Sequence, residues 1–81
     1  TPKNARRFNN YYNSEMQQTQ VDQYFNQSII QNHTDLTGKD LETFMLNYRP
    51  DYDVVQKWAE YDALKYIQES YKKFKAGKAV N

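Results

Sequence analysis

The side chains most able to do chemistry in this chain are few and scattered. His33 is the sole histidine and stands in a polar connector, His33-Thr34-Asp35-Leu36. No nucleophile or second base lies at a spacing that would make a relay with it, and a lone connector histidine is ordinarily solvated. Asp51 and Asp53 place two carboxylates two residues apart. A calcium loop of the EF-hand type needs further oxygens, a central glycine and a terminal glutamate, and the stretch from Tyr52 to Lys57 does not supply them. Acids there suit the start of a helix instead. Gly38-Lys39 lacks the upstream glycine of a phosphate-binding loop. With no cysteine, disulfides, thiolate metal sites and thiol catalysis are excluded. These residues predict no enzyme, no metal site and no cofactor.

Two other constellations point to binding. Seven of the eleven basic residues sit near the ends: Lys3, Arg6 and Arg7, then Lys72, Lys73, Lys75 and Lys78. Around the first group, Arg6-Arg7-Phe8-Asn9-Asn10-Tyr11-Tyr12-Asn13 mixes cations for phosphates, amides for base edges and rings for stacking. If the two ends meet, they form a basic patch that the net charge of +1 conceals. The plainer reading gives the C-terminal lysines a helix end to complement.

The second constellation lies in residues 51–76. Val54, Trp58 and Tyr61 recur at helical spacing, whereas Ala63, Ile67, Tyr71 and Phe74 gather roughly 200–260° round from Val54 at 100° per residue. A single helix with two apolar faces needs two neighbours. Over residues 51–75 it would be about 37 Å long, longer than the roughly 30 Å diameter expected of a compact body this size. The spacing therefore predicts a face made of Ala63, Leu64, Ile67, Tyr71 and Phe74 that meets a second copy or another protein; the competing reading has the first helix cover it.

The elements that must position these residues are helical. Thr1-Pro2 suits a helix start, and Ala5, Phe8, Tyr12 and Met16 follow at helical spacing. The phase slips near Gln17-Gln18-Thr19-Gln20, after which Val21, Phe25 and Ile29 share a side, so residues 1–32 form one kinked helix or two, with Thr19 as the candidate cap. Thr37 and Asp40 stand at capping-box spacing ahead of a helix from Gly38 to about Tyr48, and Leu36 can staple onto Leu41. Arg49-Pro50-Asp51 stops that helix. Asp53–Lys57 and Glu69–Lys73 are favourable i,i+4 pairs, and Gly77 is the expected C′ residue before a frayed tail.

Strand signals are nearly absent. The expectation is an all-α single domain over residues 1–81, a small bundle of three to five helices with a long C-terminal helix. Its hydrophobic fraction is low and rich in tyrosine, with eight residues. Tyrosine buries a ring and keeps a hydroxyl for a partner, which suits core edges. No apolar run approaches the ~20 residues that span a bilayer, and a cysteine-free chain fits the cytoplasm. The sequence thus favours a non-enzymatic interaction or assembly module, self-associating through its last helix and without a membrane. A small nucleic-acid-binding protein using Lys3, Arg6, Arg7, Lys72, Lys73 and Lys75 is the alternative.

Overall fold

The computed structural model describes residues 14–80, which are all-α. Helix α1 covers 14–24, α2 Gln27–His33, α3 Gly38–Tyr48, α4 Tyr52–Val55 and α5 Glu60–Val80. Thr1-Pro2, Ala5, Phe8, Tyr12, Lys3, Arg6 and Arg7 lie outside the described residues.

One core joins all five helices. Val21 and Phe25 come from α1 and its end, Ile30 from α2, and Leu36 from the connector. Leu41 and Phe44 come from α3, Val55 from α4, and Ile67 and Phe74 from α5. Phe44 is its hub: its ring lies 5.9 Å from Phe25, 5.2 Å from Tyr48 and 5.6 Å from Phe74, the last edge-on. Such pairs add about 0.5–1.5 kcal/mol each beyond area burial.

The first break falls at Phe25–Asn26 rather than near Thr19. Asn26 adopts an extended N-cap conformation and its Oδ1 accepts the Ile29 N–H at 2.9 Å. Thr19 lies inside α1 and donates its hydroxyl to the Glu15 carbonyl, so it stands at no helix start. At α3, Thr37 is the N-cap residue, yet its side chain makes no cap bond. Asp40 reaches Lys78 instead, so the capping box does not close. Gly38 opens α3 at φ +56°, a left-handed conformation that a side chain strains. Pro50 ends α3 as expected, with Arg49 extended at φ −57°, ψ 123°. Asp51 is the N-cap residue of α4 through its carbonyl, which accepts the Val54 and Val55 N–H groups, while its side chain makes no cap bond.

The largest departure lies in the terminal helix. Residues 51–76 do not form one rod; the chain leaves the helix at Gln56–Ala59 and re-enters at Glu60. The cause is the mismatch of phase. Drawn as a single helix, the buried stripe of Ala63, Ile67, Ser70 and Phe74 would centre about 90° from Val55 and about 150° from Trp58. With the break, all of them turn to the same interior: Val55 is buried and Trp58 is half-buried against Tyr24 and Tyr66. Val54 and Tyr61 are left exposed. Nor does Gly77 end the helix, since α5 continues to Val80.

Tyrosine hydroxyls secure the places where the chain leaves a helix. Tyr66 donates to the Tyr48 carbonyl at 2.6 Å, at the end of α3. Tyr24 donates to the Trp58 carbonyl at 3.2 Å, in the last break. Tyr71 donates to the Asp35 carboxylate in the α2–α3 connector. Carbonyls at helix ends lack intrahelical donors, and a half-buried tyrosine supplies one without taking its ring from the core. On the outer side, Arg49 fastens α1 by bonds to Gln18 and an ion pair with Asp22 at 2.8 Å.

Two substitutions test this arrangement by urea denaturation. Tyr66→Phe keeps the ring and loses the hydroxyl, and is expected to destabilise by about 1 kcal/mol. Gly38→Ala meets no atom within 4 Å, so its expected loss of about 1–2 kcal/mol comes from the backbone alone. No change in either variant would contradict these roles.

Candidate interaction groove

Between α3 and the C-terminal half of α5 lies an open groove of about 660 Å³. Helical spacing builds its walls. Lys39, Thr43 and Asn47 form an i,i+4 row on α3, and Lys73 and Gly77 form the matching row on α5. Phe74 and Tyr48 lie beneath, and Lys78 stands at one end. Gly77 has nothing within 4 Å of where a Cβ would be. A glycine inside a helix costs about 1 kcal/mol relative to alanine; here it leaves the groove open.

Lys78 spans the depression. Its Nζ lies 2.6 Å from the Asp40 carboxylate on α3 and 5.6 Å from the Phe74 ring centroid. Beyond it, a second hollow of about 290 Å³ runs over Phe74 and Lys75 to Asp35, Leu36 and Thr37. There Lys75 sits 3.9 Å from Asp35 and 5.4 Å over the Tyr71 ring. The Tyr71 hydroxyl, aided by the Lys75 ammonium, holds the Asp35 carboxyl below its ordinary range. Lys75 is raised above its own, first through the Tyr71 hydroxyl and then by the Asp35 charge.

The residues expected to form an intermolecular face are placed differently. Ala63, Ile67 and Phe74 are interior, at 3%, 0% and 8% exposure, because α2 and α3 pack on α5 within the same subunit. Leu64 and Tyr71 are half-buried. Ala63 and Leu64 border a smaller cleft of about 270 Å³ with Tyr24, Ile29, His33 and Glu60. His33 itself is exposed at the end of α2.

Of the basic residues singled out in the sequence, Lys72, Lys73 and Lys75 are exposed on α5. The structure adds Lys39, which sequence reasoning missed because it lies far from both basic ends; its i,i+4 relation to Thr43 and Asn47 was the available signal. The pairs Asp53–Lys57 and Glu69–Lys73 do not close; the ion pairs among the described residues join separate elements. Among those residues, no group of three or more His, Asp or Glu is placed to hold a metal ion. No described helix is long and apolar enough to cross a membrane. Compared with known protein families, curated proteins and solved structures, the chain matches none.

The Asp35–Tyr71–Lys75 cluster sets a pH dependence. A carboxyl lowered on folding stabilises above its unfolded value of 3.8 and loses that contribution as pH falls through the folded value. A raised lysine stabilises below 10.5 and loses it as pH rises through the folded value. Urea midpoints against pH should therefore fall more steeply below pH 3.8 in the wild type than in Asp35→Asn. Equal acid limbs would remove the cluster from the stability of the fold.

Proposed function

We propose that this chain is a non-enzymatic helical interaction module that receives a carboxylate-bearing protein segment in the groove between α3 and α5. The supporting observation is the combination of Gly77, which leaves open space, with the exposed ammonium groups of Lys39 and Lys73 around one depression, whose third cation, Lys78, is paired with Asp40. Neutralising acids of a partner suits this lining, and Thr43 and Asn47 offer side-chain donors and acceptors between the charges. The Asp40–Lys78 pair within the same wall favours a protein segment over a polyphosphate chain, since the paired Lys78 is not free for phosphate. Phe74, only 8% exposed, offers too little of its face for a base to stack.

Nucleic-acid binding keeps one specific observation in its favour. Lys72 and Lys73 have no ion-pair partner among the described residues, and Lys39 adds a cation from α3. Three phosphates neutralised would give a slope of about −2.7 for log K against log salt.

Affinity capture with the full chain, followed by titration of the protein captured, tests the interaction reading. Lys39→Glu/Lys73→Glu and the groove-filling Gly77→Leu should each weaken binding tenfold or more, about 1.4 kcal/mol, whereas Gln20→Ala should not. Undiminished affinity in both groove variants contradicts the reading. Binding of labelled duplex or single-stranded nucleic acid with the salt slope above would favour the alternative.

A further inference from the structure

The connection between α4 and α5 differs from the others in what holds it. Asn26, Gly38 and Pro50 mark the earlier breaks with a cap, a left-handed residue and a helix stop. Gln56, Lys57, Trp58 and Ala59 carry no such signal; all four are accepted by ordinary helices. Gln56 already has helical φ/ψ of −61° and −18°. The N–H groups of Gln56, Lys57 and Trp58 already donate to Tyr52, Val54 and Val55 at 2.9, 3.2 and 2.9 Å. Beside the burial of Val55 and Trp58, two side-chain bonds hold the bend: Tyr24 on the Trp58 carbonyl, and Asp62, whose carboxylate accepts the Ala59 N–H at 2.9 Å. Local preference and tertiary fold disagree here and at no other break.

We infer that residues 52–80 also form one continuous helix, in which α5 leaves its own core and lays its Ala63–Ile67–Ser70–Phe74 stripe on α2 and α3 of a second copy. The occupant is a second copy because the surface that fits this stripe is the chain's own α2–α3 face. The exchange preserves the core contacts between subunits, the low-cost route to a swapped dimer. Straightening gives the Glu60 and Tyr61 N–H groups the carbonyls of Gln56 and Lys57. It also moves Trp58 away from the stripe. This exchange is independent of what the α3–α5 groove binds.

Glu60→Pro separates the two forms. Proline at the first position of α5 suits the bent chain, but inside a continuous helix it removes a hydrogen bond and clashes with the preceding turn. Asp62→Ala removes the cap that only the bent form uses. Each full-length protein is brought to near-millimolar concentration, heated, cooled slowly and weighed by light scattering. The wild type should show a dimer that dissociates slowly on dilution. Asp62→Ala should raise the dimer-to-monomer ratio by about fivefold per subunit, the shift that losing one cap gives, and Glu60→Pro should be monomeric. Wild type and Asp62→Ala both remaining monomeric, or a dimer that survives in Glu60→Pro, overturns the inference. Should Glu60→Pro fail to fold, amide exchange in the isolated wild-type dimer decides. Slow exchange at Glu60 and Tyr61 supports the continuous helix, and fast exchange overturns it.

Discussion

The fold depends on one constraint: two apolar stripes that would point about 90–150° apart on a single helix must face a single core. The chain resolves it by leaving the helix for four residues. Val55 and Trp58 can then approach from one side while Ala63, Ile67, Ser70 and Phe74 approach from another. Burial of α5 from Ala63 to Phe74 follows from that turn. So does the exposure of Val54 and Tyr61, which shared a phase with Trp58 but lost the competition for interior space.

A chain with so few aliphatic residues has little apolar area with which to hold such a bend. Aromatic side chains make up the difference in two ways. Phe44 gathers Phe25, Tyr48 and Phe74 into one packed cluster, and the tyrosines at its edge extend hydroxyls to the backbone or connector where helices end. Among the described residues, no buried side-chain nitrogen or oxygen lacks a hydrogen-bond partner. Polar tips therefore stabilise the joints without leaving orphaned groups inside. Helix α5, of 21 residues and about 32 Å long, packs against α2 and α3.

Much of this was legible in the residues themselves. The all-α class, the helix from Gly38 to Tyr48, the stop at Pro50 and the long C-terminal helix follow from periodicity and punctuation. The two-faced pattern after Asp51 was also real, but it has two physical solutions: a second neighbour for a straight rod, or a bend onto one neighbour. Nothing local in Gln56–Ala59 selects the bend. It follows from the burial of Val55 and Trp58 in the same core as the α5 stripe, and bonds from Tyr24 and Asp62 hold it, one from 34 residues away. Thr19 and Thr37 failed as side-chain caps for a similar reason, since a hydroxyl's partner depends on the turn it faces. The groove was the least legible feature: Lys39 and Gly77 acquire meaning only when α3 and α5 lie side by side.

Form and proposed use meet on α5. Its inner stripe builds the core, and its outer row, with Lys73 and Gly77, borders a groove whose charge suits an acidic partner. Both rest on the bend before Glu60, so the most direct measurement is residue-resolved amide hydrogen exchange on the dilute monomer. Rapid exchange at Glu60 and Tyr61, beside slow exchange at Ile67 and Phe74, is the expected result. Uniform protection from Val54 through Leu64 would mean an unbroken helix and would contradict the bend.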